Sequence, residues 1–122
     1  MAIYAVNKDI YMRQGDTGNI TFSNLPKDKS YNVFISIYNP DTNKIVKEMG
    51  ATSFTQSTGL ALFTIGEDVS NSLPVGEWVY GLKICADGSE DTILPRAYVQ
   101  DEQLMFEEFP KFTVDYKVVE GD

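Results

Sequence analysis

Apolar and polar residues alternate along much of this chain, and this period of two constrains the fold more than any other feature of the sequence. Successive side chains of a β-strand point to opposite faces, so alternation is typical of a strand with one face against a core. Residues 31–38 show the pattern most clearly. The side chains predicted to face the core there are Tyr31, Val33, Ile35 and Ile37, and those predicted to face outward are Asn32, Phe34, Ser36 and Tyr38.

Further segments repeat this pattern, and turn residues separate them. Residues 44–48, 60–65, 78–85, 91–94 and 111–118 read as strands, with turns at 40–43 and at Asp87-Gly88. Residues 67–73 suit one short helical turn. The side chains predicted to face the core in 78–85 and 111–118 are Trp78, Tyr80, Leu82, Ile84, Phe112, Val114, Tyr116 and Val118. The chain is therefore predicted to be all-β, an antiparallel β-sandwich of seven to nine short strands.

Length and charge limit the domain count and the partners. The 122 residues, 43% of them hydrophobic, suit one globular domain. A net charge of −8 disfavours nucleic acid and anionic membranes as partners. No segment approaches the ~18 apolar residues of a membrane span, and residues 1–10 lack a signal-peptide core. We therefore expect synthesis in the cytoplasm.

The tripeptide Asp16-Thr17-Gly18 is also found at the active site of aspartic proteases, so it needs an explanation. In those enzymes the aspartate follows an apolar strand and shares a proton with a second carboxylate. Here Gln14 and Gly15 precede Asp16, which favours a turn between strands. A retroviral-type protease dimer stays open only as the least favoured alternative.

Other residues with potential chemistry also favour structural interpretations. Histidine is absent, which removes His-based triads and most zinc sites. Cys85 falls in an apolar strand pattern and is expected to be a buried, inert thiol. Glu107 and Glu108 are expected at a solvent-exposed strand edge rather than as paired catalytic carboxylates. Residues 87–91 are expected to form the tip of a hairpin rather than a calcium site. We therefore predict no catalytic residue, no metal and no cofactor.

The order of several segments resembles the immunoglobulin-like domains of bacteriophage tail and baseplate proteins. The segments that carry the resemblance are Arg13-Gln14-Gly15-Asp16-Thr17 with Ile20-Thr21-Phe22 after it, Leu73-Pro74-Val75-Gly76-Glu77-Trp78-Val79-Tyr80-Gly81-Leu82-Lys83, and Lys111-Phe112-Thr113-Val114. Two departures are Gln14, which separates Arg13 from Gly15, and Pro110, which stands where the family has Gly. The resemblance implies an immunoglobulin-like sandwich over residues 9–122. The short β-prone run before it predicts an N-terminal arm of residues 1–8. It also implies that Tyr80 occupies the position of a disulfide cysteine, so that aromatic packing replaces that bridge.

The resemblance further implies a non-enzymatic virion structural protein of a tail, a baseplate or a head accessory, whose partners are other virion proteins. The main alternative is a carbohydrate- or ligand-binding β-sandwich that uses Trp78 and Tyr80, or the outward Phe34 and Tyr38. Localisation in the virion follows from the first interpretation.

Residues 96–109 form an inserted segment that is longer than the family's usual return to the last strand. The segment is either an extra hairpin packed on its own domain or a contact surface for another protein. The arm, too, could pair with a neighbouring copy or with its own domain. We predict a homo-oligomer or symmetric ring, with a monomer as the alternative. The candidate assembly contacts are Ile3, Tyr4, Val6, Tyr98, Leu104, Met105, Phe106 and Phe109.

Overall fold

The structure is a computed structural model that describes residues 3–6 and 8–116, and within them it contains twelve β-strands and one α-helix. The first six strands are β1 (Tyr4–Val6), β2 (Asp9–Arg13), β3 (Gly18–Phe22), β4 (Asn32–Tyr38), β5 (Ile45–Gly50) and β6 (Ser53–Thr55). Then follow β7 (Leu60–Ile65), α1 (Glu67–Ser72), β8 (Gly76–Ala86), β9 (Ser89–Leu94), β10 (Ala97–Gln100), β11 (Gln103–Phe106) and β12 (Lys111–Asp115). The β-rich class is confirmed, whereas the predicted seven to nine strands are too few for the described residues, partly because strands of three residues such as β6 are too short to be identified by alternation.

The strands are arranged in three sheets. The main sheet has seven strands in the order β1-β2-β12-β8-β4-β5, with β9 also paired to β8. A second sheet has the order β3-β7-β6, and β10 pairs with β11 in a separate hairpin. Within the main sheet β2 runs parallel to β12, with Ile10 opposite Phe112, so the expectation of purely antiparallel pairing is wrong. Alternation fixes the face of a residue but not the direction of the neighbouring strand.

The main sheet and the three-stranded sheet share one hydrophobic core. Tyr80 of β8 is fully buried. Its ring contacts the Phe112 ring edge-on, with centroids 6.1 Å apart, and the Phe22 ring of the second sheet, with centroids 6.2 Å apart. Burying each such large side chain contributes on the order of 1.5–3 kcal/mol. The inward prediction is confirmed for Val33, Ile35, Ile37, Tyr80, Leu82, Ile84, Phe112 and Val114.

Three side chains differ from the prediction in their burial. Trp78 is only half-buried at the margin of the core, and its indole N–H donates to the Pro74 carbonyl at 2.9 Å. Tyr116 is 73% exposed, since β12 ends at Asp115, and Val118 lies outside the described residues. Ser36 of the outward face is buried, and its hydroxyl is satisfied by donating to the Glu48 carboxylate at 2.8 Å.

The predicted turns and helical turn are confirmed. Asp16 lies in the turn between β2 and β3, where its amide donates to the Arg13 carbonyl and its carboxylate accepts from the Arg13 amide. Gly15 supplies the left-handed conformation of this turn, with φ of +86°. Asp87 and Gly88 both have positive φ between β8 and β9, as in a tight hairpin. Among the described residues no helix has the length and apolar character needed to cross a membrane.

Candidate functional site

The segment between β9 and β12 is an insertion into one edge of the main sheet. Both strands pair antiparallel with the same edge of β8, and β4 occupies its other edge. The chain leaves this edge at Leu94, opposite Leu82, and returns at Lys111, opposite Val79. Only two positions of β8 separate those partners. Residues 95–110 are therefore an addition to what is otherwise one interrupted strand.

The insertion folds into the β10–β11 hairpin. Its tight turn consists of Asp101 and Glu102, whose φ values are +51° and +64°. Its cross-strand pairs begin with Ala97 opposite Phe106 and end with Gln100 opposite Gln103. All eight strand residues are exposed, and no other strand of the described residues pairs with either edge. A two-stranded hairpin of this kind is marginally stable by itself in water, which makes it a candidate for contact with a partner.

One face of the hairpin is entirely apolar. Directly opposed residues of an antiparallel pair share a face, so the register assigns the side chains to two sets. The apolar face consists of Ala97, Val99, Leu104 and Phe106, and the other face of Tyr98, Gln100, Gln103 and Met105. Val99, Leu104 and Phe106 are 73%, 64% and 61% exposed. A contiguous exposed apolar patch of this kind marks an interaction surface in a soluble protein.

The base of the hairpin is attached to the body of the domain. Lys8 forms an ion pair with Glu107 at 3.3 Å, and the Tyr80 amide donates to the Pro110 carbonyl at 2.9 Å. Within the base itself, the Glu107 amide donates to the Arg96 carbonyl at 2.9 Å. The Phe109 ring contacts Tyr38 edge-on, with ring centroids 6.0 Å apart. These contacts hold the base in place, whereas the apolar face beyond it stays open to solvent.

The sequence-predicted contact residues divide between two places. Tyr98, Leu104, Met105, Phe106 and Phe109 are all exposed on the insertion. The sequence prediction omitted Val99, although Val99 is more exposed than any of these residues. Its position as an apolar residue between Tyr98 and Gln100, in a segment that reads as a strand, was the signal that could have identified it.

The arm residues lie in and beside β1, which pairs with β2 of the same chain, so that Ala5 lies opposite Ile10. Ile3 is 7% exposed and belongs to the core, which does not suit an intermolecular contact. Val6 is 53% exposed, and Tyr4 begins the strand. The arm therefore pairs with its own domain, and the hairpin offers the more exposed candidate surface.

A charged network lies on the outward face of the main sheet. Lys83 is 3.2 Å from Glu48 and 3.4 Å from Glu90. The hydroxyl of Ser36 and the ammonium of Lys83 lower the pKa of Glu48, and the bond to Glu48 raises the pKa of Lys83. The three charged groups neutralise one another at a partly exposed position. Ion pairs in such positions contribute only modestly to stability.

Cys85 is half-buried on the same face, rather than fully buried as expected. Burial raises the pKa of its thiol, and so does the neighbouring Glu90 carboxylate. Both effects disfavour the thiolate, which is the nucleophilic form of cysteine.

In the part of the chain that the structure describes, no group of three or more His, Cys, Asp or Glu residues is arranged so that it could hold a metal ion. Asp16 is engaged by its own turn. No protein-family model matches the chain, and a search of curated proteins finds no match.

Proposed function

We propose that this chain is a non-enzymatic structural protein of a bacteriophage particle, in its tail, baseplate or head, and that it acts through protein–protein assembly. The observation that carries the proposal is the wholly apolar, exposed face of the β10–β11 hairpin, on an insertion whose residues 96–109 are all exposed. Exposing such a face is unfavourable unless another protein covers it.

The arrangement of the sheets supports an immunoglobulin-like sandwich as the scaffold. Two sheets enclose one core, and β8 occupies a central place with β4 on one edge and the interrupted β9–β12 strand on the other. Tyr80 packs among Phe22 and Phe112 at the position where the resemblance implies aromatic packing instead of a disulfide. A rigid scaffold of this type presents an inserted segment at a fixed position.

The carbohydrate-binding alternative is less well supported by the outward aromatic rings. The Phe34 ring has the Lys83 ammonium above it, 5.9 Å from the ring centroid. The Tyr38 ring is contacted by Phe109. Neither residue is more than half-exposed, so these two rings do not offer the open, flat stacking surface that a sugar ring requires.

The test of the proposed function is incorporation into particles. Phage particles purified from a lysate of the bacterium that carries the gene should contain the chain, detected by mass spectrometry. The double variant Leu104→Ser/Phe106→Ser should be depleted from particles by at least about tenfold, because it removes the two largest groups of the apolar face. The matched control Gln100→Ser/Gln103→Ser changes the other face and should incorporate normally. Absence of the unmodified chain from particles would overturn the proposal.

A further inference from the structure

We propose that the partner of the hairpin is a second copy of this chain, and that the two copies join by antiparallel pairing of their β10 edges about a two-fold axis at Tyr98. This inference rests on the assembly function proposed above and specifies its first contact. The four strands would then form one continuous sheet in the order β11-β10-β10-β11.

The hydrogen-bond pattern of the hairpin determines which groups are free for this pairing. Residues flanking a two-residue turn exchange hydrogen bonds, and such pairs then alternate along the strands. Gln100 and Gln103 are the flanking pair, and the bond from the Glu107 amide to the Arg96 carbonyl follows the same alternation. The N–H and C=O groups of Ala97 and Val99 therefore point away from β11, toward the open edge of β10.

These outward groups select one register. A two-fold axis through the Tyr98 pair places Ala97 opposite Val99 of the second copy, and does so twice, which allows about four main-chain hydrogen bonds. The axis also sets the two Tyr98 side chains opposite each other, a favourable cross-strand aromatic pair. An axis through Val99 would allow only about two such bonds, because the next pair would fall on the turn.

Charge distinguishes the β10 edge from the β11 edge. The β10 edge starts after Arg96 and ends at Asp101 and Glu102. Antiparallel pairing of two β10 edges brings each arginine beside the acidic turn of the other copy. Pairing of two β11 edges would instead bring that turn beside Glu107 and Glu108, where like charges repel. Complementarity therefore favours β10.

The pairing also addresses the marginal stability of the isolated hairpin. Strand β10 has neither a charged residue nor a proline within it, the features that proteins use to block edge pairing. Four strands with a hydrophobic face exceed the three that give a sheet stability of its own. In the joined sheet the apolar faces of both hairpins lie on the same side, and together they form one binding surface for the next component of the particle.

A pair of proline variants tests the edge. Val99→Pro removes an N–H that points to the open edge of β10 without breaking a bond inside the hairpin. Leu104→Pro is the matched control, because it removes the equivalent outward N–H of β11 and an apolar side chain from the same face. By light scattering, the unmodified chain and Leu104→Pro should have twice the 13.7 kDa mass of one chain, and Val99→Pro should have the single mass. A monomeric unmodified chain, or an equal loss of dimer in both variants, would overturn the inference.

Cysteine cross-linking tests the axis. In a Cys85→Ser background, Tyr98→Cys places two thiols at a non-hydrogen-bonded pair, where Cα atoms lie ~4.5 Å apart and a disulfide can form. Leu104→Cys is the control, because its two copies would be about three strand spacings, or ~14 Å, apart. Oxidation should join Tyr98→Cys into a covalent dimer at least tenfold faster than the control, and equal rates would contradict the axis. If the chain does not dimerise in solution but the unmodified chain is still found in particles, this inference is wrong and the proposed function still stands.

Discussion

The core of the domain should survive removal of the whole hairpin. Because Leu94 and Lys111 pair with β8 positions that are only three residues apart, two residues are enough to connect them. The required variant replaces residues 95–110 with a Thr-Val dipeptide. The threonine would lie opposite Gly81 on the outward face, and the valine opposite Tyr80 on the core face, which preserves the alternation of the interrupted strand.

The expected change in stability is small because the gains and losses are of similar size. Shortening the connection from sixteen residues to two is three halvings, and each contributes about 0.6 kcal/mol of closure entropy, so the gain is ~1.8 kcal/mol. The losses are the edge-on contact of Phe109 with Tyr38, worth about 0.5–1.5 kcal/mol, and the exposed Lys8–Glu107 pair, worth up to about 1 kcal/mol. The deletion also removes the buried Pro95 and Pro110, whose places beside β8, including the bond from the Tyr80 amide to the Pro110 carbonyl, pass to the Thr-Val dipeptide. The free energy of unfolding should stay within about 2 kcal/mol of that of the unmodified chain.

Urea unfolding followed by circular dichroism and by the fluorescence of Trp78, the single tryptophan, measures this difference. Phe109→Ala in the full chain isolates the aromatic contact and should cost about 1 kcal/mol. A hairpin-deleted chain that fails to fold, or that loses more than about 4 kcal/mol, would refute the reasoning, because the insertion would then be part of the core.

Three further perturbations test other parts of the fold. Gly59→Ala should lower the unfolding free energy by at least ~2 kcal/mol, because φ is +64° and a Cβ would lie 2.3 Å from the Leu25 carbonyl oxygen; an unchanged melting temperature would contradict this. Glu48→Gln should cost less than about 1 kcal/mol at neutral pH. Since the folded-state pKa of Glu48 is lowered from 4.5, that cost should fade as the pH drops below 4.5, and a cost that grows in acid urea titrations would be the opposite result. Deleting residues 1–6 removes β1 and the buried Ile3, so stability should fall by about 2–3 kcal/mol while light scattering shows the same oligomeric state; loss of that state would assign assembly to the arm.

Local features of the fold could be predicted because they depend on local chemistry. The core-facing residues of β4 and β8 follow from alternation, since burial of one face repeats every second residue. The turns at Gly15 and at Asp87-Gly88 follow from residues that adopt positive φ with little strain. Each of these predictions needs only a few consecutive residues.

Pairings between distant segments could not be predicted in the same way. The parallel contact of β2 with β12 joins residues about a hundred positions apart, and neither strand carries a signal for its partner or direction. The return of β1 onto β2 likewise depends on which edge is open, as does the burial of Ile3. Strand neighbours are decided by the whole set of competing edges, which a single sequence does not show.

The hairpin illustrates both limits at one site. Composition alone marked residues 96–109 as too apolar for an ordinary loop, yet it could not show which residues of β11 share a face with Val99 and which with Tyr98. Adjacent residues of a strand always lie on opposite faces, and the position of the two-residue turn decides which residues of β11 join each face and which amides are free at the edge. An assembly contact of this kind is therefore specified by main-chain geometry as much as by side chains.

The position of the insertion explains how the domain can carry an apolar face without losing its own fold. An apolar surface on a core strand would compete with the native register, because a slip of one residue exchanges the two faces of that strand. Here the apolar face lies between two strand segments that are each fixed by a buried residue, Leu94 opposite Leu82 and Phe112 opposite Trp78. The hairpin can therefore change its sequence, and with it its partner, while the pairing on either side continues to fix the core.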